Sequence, residues 1–171
     1  AIFITILGRL PFFVARGEKV QNQAEFERKL YVIRKVIEHS ADTHPVLEDR
    51  DDFYLSSLSS KTIVYKGLML AQQMDRYYPD LSDERFESCL ALVHQRYSTN
   101  TFPSWSRAQP LRLLAHNGEI NTVRGNTDWI RARESLFASD LFPDIKKILP
   151  VVEPGGSDSM DFDQVVELLV L

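Results

Sequence analysis

His94-Gln95-Arg96-Tyr97-Ser98-Thr99-Asn100-Thr101-Phe102-Pro103 is the stretch on which the reading of this chain turns, with a second island, Leu114-Ala115-His116-Asn117-Gly118-Glu119-Ile120-Asn121, following it. Each comes after a short apolar run and breaks into small, polar, turn-forming residues. That is the pattern of a strand ending at a sheet edge, where a rigid scaffold presents polar groups. A third island, Gly155-Gly156-Ser157-Asp158-Ser159, completes the set.

Outward from these islands the elements are ordinary. Residues 1–8 alternate as a strand, with Ile2, Ile4 and Ile6 on one side. A helix is expected over 22–39: Asn22 is its N-cap, Glu25 stands three residues on, and Phe26, Leu30, Ile33 and Ile37 share one face. Glu27, Arg28 and Lys35 fall on the opposite face, and the helix reads as a packing element. Residues 40–52 are acidic, and although His44 lies among them they read as a solvated loop rather than a metal site. Phe53–Leu58 and Thr62–Lys66 read as a hairpin. Gly67–Tyr78 reads as a short helix stopped by Pro79, and Ser82-Asp83-Glu84-Arg85 as a second helix start. Ser88–Gln95 and Leu111–His116 are expected strands. In the first, Cys89 points away from His94 and Arg96 and reads as a small buried hydrophobe rather than a nucleophile. A further helix is expected over Thr122–Phe137, carrying Trp129, Ile130, Arg133 and Leu136. A short strand is expected within Phe142–Val152, and then a last helix capped by Asp158 or Ser159.

Composition bounds the function. The chain has 171 residues, 44% hydrophobic and 26% charged, which suits one globular domain. A net charge of −4 without a basic stripe argues against nucleic acid as a partner. Ala1 to Val14 is apolar but is interrupted by Arg9 and Pro11 and is too short to span a bilayer. One cysteine allows no internal disulfide, and no Cys/His cluster has zinc spacing, so no metal is expected and a reduced, cytoplasmic setting is. The chain begins at Ala1 rather than a methionine, and Val165–Leu171 reads as a helix cut short, so a partial domain is expected.

Taken singly, Arg96 reads as a surface ion pair, Asn117-Gly118 as a turn, Asp158 as a helix cap, and His94 and His116 as structural histidines. Taken together, they fit one chemistry. A free α-amino acid carries a carboxylate and an ammonium on the same carbon. Arginine's planar fork suits the first and an aspartate suits the second. Breaking an amide also needs donors aimed at the developing oxyanion. An Asn side chain beside a Gly backbone N–H supplies them, each worth roughly 3–4 kcal/mol in the barrier.

The three islands resemble the glutaminase domain of the glutamate synthase large subunit, a class II glutamine amidotransferase of the N-terminal-nucleophile hydrolase type. Phe26–Lys35 and Ser57–Gly67 look like the same family. The resemblance covers roughly residues 16–171 and leaves 1–13 unmatched. It is specific, because the ending Asn100-Thr101-Phe102-Pro103 separates glutamate synthase from other class II amidotransferases. It implies an α+β fold, a four-layer αββα sandwich, here incomplete. It implies that Arg96 holds the glutamine carboxylate and Asp158 its ammonium, with Thr99 a further substrate-side contact. Asn117 and Gly118 would form the oxyanion hole. The substrate would be L-glutamine, with ammonia passed to 2-oxoglutarate in the parent's synthase domains. FMN and a 3Fe-4S cluster would belong to that parent and none to this chain. A plastid setting would apply to a plant-type parent.

The family's nucleophile is a cysteine at the head of the mature chain. Its own α-amine, with a pKa near 8, relays the proton. With Ala1 first and Cys89 internal, the expectation is a partial amidotransferase domain without its nucleophile. Its alternatives are a catalytically inactive amino-acid-binding fragment and a piece that folds only with missing segments.

Overall fold

The computed structural model describes residues 14–46, 53–96 and 102–171. The expected strand at 1–8, the acidic tip at 47–52 and Thr99 lie outside them. The described residues contain four α-helices: α1 (Gln23–Thr43), α2 (Met74–Tyr77), α3 (Val123–Glu134) and α4 (Asp158–Val170). Single 3₁₀ turns stand at Ala71–Gln73, Pro79–Ser82 and Ile145–Ile148.

The organising helix is α1. It begins where expected: the Asn22 side chain accepts the Glu25 N–H at 2.9 Å, satisfying one of the orphan donors of the first turn. It runs four residues past the expected end. Its apolar face builds the first core, with Leu30 fully buried against Leu55 and Leu58 and flanked by Phe26, Ile33 and Ile37. Each such leucine contributes on the order of 1.5–3 kcal/mol. A neighbouring stripe builds the second core, where Tyr31 packs against Phe142 and Ile148, its ring edge-on to Phe142 at 6.0 Å.

The charged side of α1 is largely buried as well. Glu27, Arg34, Lys35 and Glu38 are all buried, Arg34 and Lys35 to within 1% of full enclosure. Buried charge must be paired, and it is. Arg34 bridges Glu38 at 2.7 Å and Glu167 of α4 at 2.5 Å, while Arg112 reaches Glu38 at 3.0 Å. Lys35 pairs with Glu153 at 2.9 Å. Glu27 accepts from the Ser60 N–H and from the Ser59 and Ser60 hydroxyls. Other chain segments cover this charged side of α1 as well as its apolar face, leaving Lys29, Val36 and Ser40 exposed, a fact that periodicity along one helix does not contain.

Elsewhere the outcome departs from expectation in local ways. Residues 53–66 form no strand ladder. The bend at Ser59-Ser60 is held instead by Glu27, and the Val64 N–H donates to the Ser57 hydroxyl at 3.1 Å. Helix α2 does stop before Pro79. Ser82 ends a 3₁₀ turn instead of starting a helix, and the Asp83 carboxylate pairs with Arg85 at 2.6 Å. Residues 88–95 and 111–116 carry no strand pairing among the described residues; the latter turns, with the Leu111 N–H donating to the Leu114 carbonyl. The stretch within 142–152 holds a 3₁₀ turn in place of a strand. Cys89, expected to be buried, is exposed. Trp129 in α3 and Leu136 just beyond it are likewise exposed, and the helix, which ends at Glu134 rather than Phe137, attaches through polar contacts: Thr127 to Asp161, and Glu134 to the Val151 N–H, both at 2.6 Å.

Candidate functional site

The second and third islands meet at the start of α4. Ser157, not Asp158 or Ser159, is the cap of this helix; its hydroxyl accepts the Met160 N–H at 3.2 Å. That leaves Asp158, at the first helical position, free to reach outward. One of its carboxylate oxygens accepts the Ile120 N–H at 2.5 Å. The other accepts the Ser159 N–H at 2.6 Å and the Ser159 hydroxyl at 3.1 Å. A carboxylate offers about four acceptor positions, so three are filled and one remains for a cationic donor.

Five residues along α4, Asp163 repeats the device. Its carboxylate accepts the backbone N–H groups of Leu113 at 2.8 Å, Leu114 at 3.1 Å and Arg112 at 3.2 Å. Burial raises its pKa, with the hydrogen bond from Leu113 acting against that. Gln109 grips the same segment from the other side, accepting the His116 N–H at 2.6 Å and donating to the His116 carbonyl at 2.7 Å. Residues 112–120 are therefore held by side chains along their length, and backbone groups that a sheet would have satisfied are satisfied by Asp158, Asp163 and Gln109.

His116 closes the arrangement. Its Nδ1 lies 3.1 Å from the Ser159 hydroxyl. Its ring lies against Gly118, where an added Cβ would stand 3.0 Å from Nε2. Asn117 and Gly118 themselves are exposed, as an incoming carbonyl oxygen requires. Immediately beyond, Thr122 takes a left-handed conformation (φ 63°), uncommon for a β-branched residue, and turns the chain into α3.

The first island joins the third through Arg107. Its guanidinium donates to the Phe102 carbonyl at 3.0 Å and to the Gly155 carbonyl. Gly155 has φ +77°, the left-handed turn that delivers Ser157 and Asp158 to the helix start. Arg96 stands on an exposed extended segment, its N–H donating to His94 Nδ1 at 3.1 Å. Among the described residues no hydrogen bond or ion pair joins its side chain to Asp158. The structure thus unites Asn117, Gly118 and Asp158 and leaves Arg96 as an exposed guanidinium. Sequence reasoning missed Gln109, Asp163 and Arg107. Their roles depend on contacts with distant backbone, and no spacing along the chain announces them.

Among the described residues no group of His, Cys, Asp and Glu could hold a metal ion, and no helix is long and apolar enough to cross a membrane.

Comparison with known proteins converges on one family. The model of the class-II glutamine amidotransferases matches residues 10–171. The chain is 52% identical over 160 residues to the glutamate synthase (NADPH) large chain of Bacillus subtilis (strain 168), covering 93% of this chain and 10% of that one. It is 52% identical over 151 residues to the glutamate synthase (NADH) of Saccharomyces cerevisiae, covering 88% and 7%. To the chloroplastic ferredoxin-dependent glutamate synthase of Oryza sativa subsp. japonica it is 44% identical over 153 residues, covering 89% and 9%. The chain spans about a tenth or less of the length of these relatives.

Proposed function

This chain belongs to the class II glutamine amidotransferases, and from that premise we propose that it forms the glutamine-binding part of a glutamate synthase. Asp158 takes the α-ammonium of L-glutamine in its remaining acceptor position. Arg96 takes the α-carboxylate through its bidentate fork. Asn117 and Gly118 direct donors at the side-chain amide oxygen, and the family resemblance assigns Thr99 a further substrate-side contact. The incomplete αββα sandwich and a cytoplasmic or plastid setting belong to the same proposal.

The chemistry assigned to these groups is amide hydrolysis. A thiolate adds to the amide carbon, the carbonyl oxygen takes up the negative charge, and the Asn117 side chain and Gly118 N–H stabilise it. Ammonia then leaves, and water releases glutamate from the thioester. The attacking thiolate is, by family resemblance, the first residue of a mature chain. Cys89 does not fill that role: it is exposed, it is internal, and it has no α-amine of its own. The ammonia passes to 2-oxoglutarate in the parent's synthase domains. FMN and a 3Fe-4S cluster are proposed for those domains. A cluster needs several thiolate ligands, and the single cysteine here cannot supply them.

The observation that carries the proposal is the carboxylate of Asp158 tied directly to the segment bearing Asn117 and Gly118. Titration calorimetry with L-glutamine tests it. Binding is expected in the unmodified chain and is weakened in Asp158→Asn and in Arg96→Ala. Unchanged affinity in both variants would overturn the assignment. A glutaminase assay on the same chain separates binding from turnover; hydrolysis that persists without Cys89 would overturn the account of the nucleophile.

A further inference from the structure

His116, Ser159 and Asp158 form a chain of two side-chain hydrogen bonds whose direction can be worked out from its protons. As a carboxylate, Asp158 only accepts. The Ser159 hydroxyl has one proton and donates it to Asp158 at 3.1 Å. Its oxygen must therefore accept from His116, 3.1 Å away, so the imidazole proton sits on Nδ1. The bare nitrogen is then Nε2, the atom nearest the space above Gly118. The His116 main chain is fixed independently by Gln109, so the ring pivots on a backbone that is already held.

We infer that His116 is a positioning residue for glutamine: through Ser159 it orients the Asp158 carboxylate toward the substrate ammonium, and with its ring it sets the place of Gly118. This rests on the proposed glutamine site and adds to it a coupling between its two ends. The ammonium anchor and the oxyanion donors are held by one imidazole. A shift of the ring moves both, and a side chain at position 118 displaces the ring, because its Cβ would press on Nε2.

Two measurements test this. In chain labelled with ¹⁵N-histidine, long-range ¹H–¹⁵N spectra are expected to show His116 in the Nδ1–H form. Ser159→Ala is expected to return it to the Nε2–H form common in solvent. An Nε2–H ring in the unmodified chain overturns the inference. The second is ligand selectivity. His116→Ala is expected to weaken L-glutamine binding about tenfold, the scale of one hydrogen bond to a charged group. It should weaken 4-carbamoylbutanoate, glutamine without its amino group, clearly less, because that ligand meets only the Gly118 end of the coupling. His116→Asn, whose amide takes the Nδ1 position, should restore most of the affinity. Equal losses for both ligands, or no loss for either, overturn it. Failure of the unmodified chain to bind glutamine overturns the functional proposal and the substrate half of this inference, and the tautomer then decides the hydrogen-bond chain by itself.

Discussion

Asp158 and Ile120, thirty-eight positions apart, are joined by a hydrogen bond of 2.5 Å from the Ile120 N–H to the Asp158 carboxylate. The bond fixes the segment carrying Asn117 and Gly118 to the first turn of α4. The carboxylate also lies at the positive end of the α4 dipole, where negative charge is favoured. Asp158 thus has a structural role that is separable from its proposed role in binding. Asp158→Ala is expected to lower stability by about 1–3 kcal/mol, since it leaves the Ile120 N–H without its partner. Asp158→Asn keeps an acceptor and is expected to lose less stability while losing the ammonium site. Urea unfolding of both variants, set beside glutamine titration, checks the separation. Equal stability losses would show that the charge, not the acceptor, holds the segment.

Arg96 presents the opposite case. Its side chain is exposed and has no structural partner among the described residues. Arg96→Ala is therefore expected to leave stability within about 0.5 kcal/mol of the parent while reducing glutamine affinity. Arg96→Lys is expected to recover little of it, because an ammonium cannot reproduce the two parallel donors of the fork. Full recovery by lysine in a binding titration would reduce the role of Arg96 to simple charge.

The junction between α1 and α4 depends on a guanidinium between two carboxylates. Arg34 holds Glu38 and Glu167 together; burial opposes its charge, as does Arg112, and the two carboxylates more than offset this, so its pKa is raised. Arg34→Met leaves two buried carboxylates short of a cation and is expected to cost roughly 3–5 kcal/mol. Replacing Arg34 and Glu167 together with apolar residues, which leaves Glu38 paired with Arg112, is expected to recover much of that loss. A denaturant midpoint for the double variant as low as that of the single one would show that the network adds more than charge balance.

Lys66 supplies a pH test. Burial, and then the charge of Arg112, press its pKa down from the usual amine range to about 7. Its ammonium donates to the Trp105 carbonyl at 3.0 Å and lies 4.5 Å from the centre of the Tyr54 ring. Between about 7 and 10.5 the unfolded chain holds a proton on this group that the folded chain has released. Stability contributed by Lys66 therefore rises with pH across that window. Lys66→Met is expected to flatten the rise when unfolding is followed at neutral and mildly alkaline pH. The window must stop below the tyrosine range, because burial pushes the Tyr54 phenol up to about 12 and reverses the slope there. A variant whose stability still climbs in parallel with the parent would remove Lys66 from the account.

How much was legible in the sequence differs between elements. The start of α1 was, because Asn22 and Glu25 act within one turn of helix, and so was its core face, because Phe26, Leu30, Ile33 and Ile37 repeat at helical spacing. The stop before Pro79 and the start of α3 followed from similarly local rules, whereas α3 ends at Glu134, short of the expected Phe137. Expectations that needed a partner elsewhere in the chain went differently. Glu27 and Lys35 stand opposite the apolar face in the sequence, and only the folded chain shows them buried with partners; the apparent strands at 53–66 and 111–116 have their backbone groups held by side chains rather than by a ladder. Cys89 was assigned to the interior from the usual burial of a free cysteine, which has force only where the segment carrying it is covered, and here it is exposed.

The sequence alone determined the family: the three polar islands and their order carry it, because substrate chemistry constrains residue type and local spacing directly. It also determined which residues are chemically equipped for a zwitterion and an oxyanion. Tertiary structure alone decided which of them stand together. Asp158 joins Asn117 and Gly118 through Ile120 and Ser159, Gln109 and Asp163 secure that segment, and Arg34 ties the helix behind it to α1. The reason is that the hydrogen bonds of a carboxylate or a guanidinium depend on which backbone reaches it, and that is set by how distant segments pack.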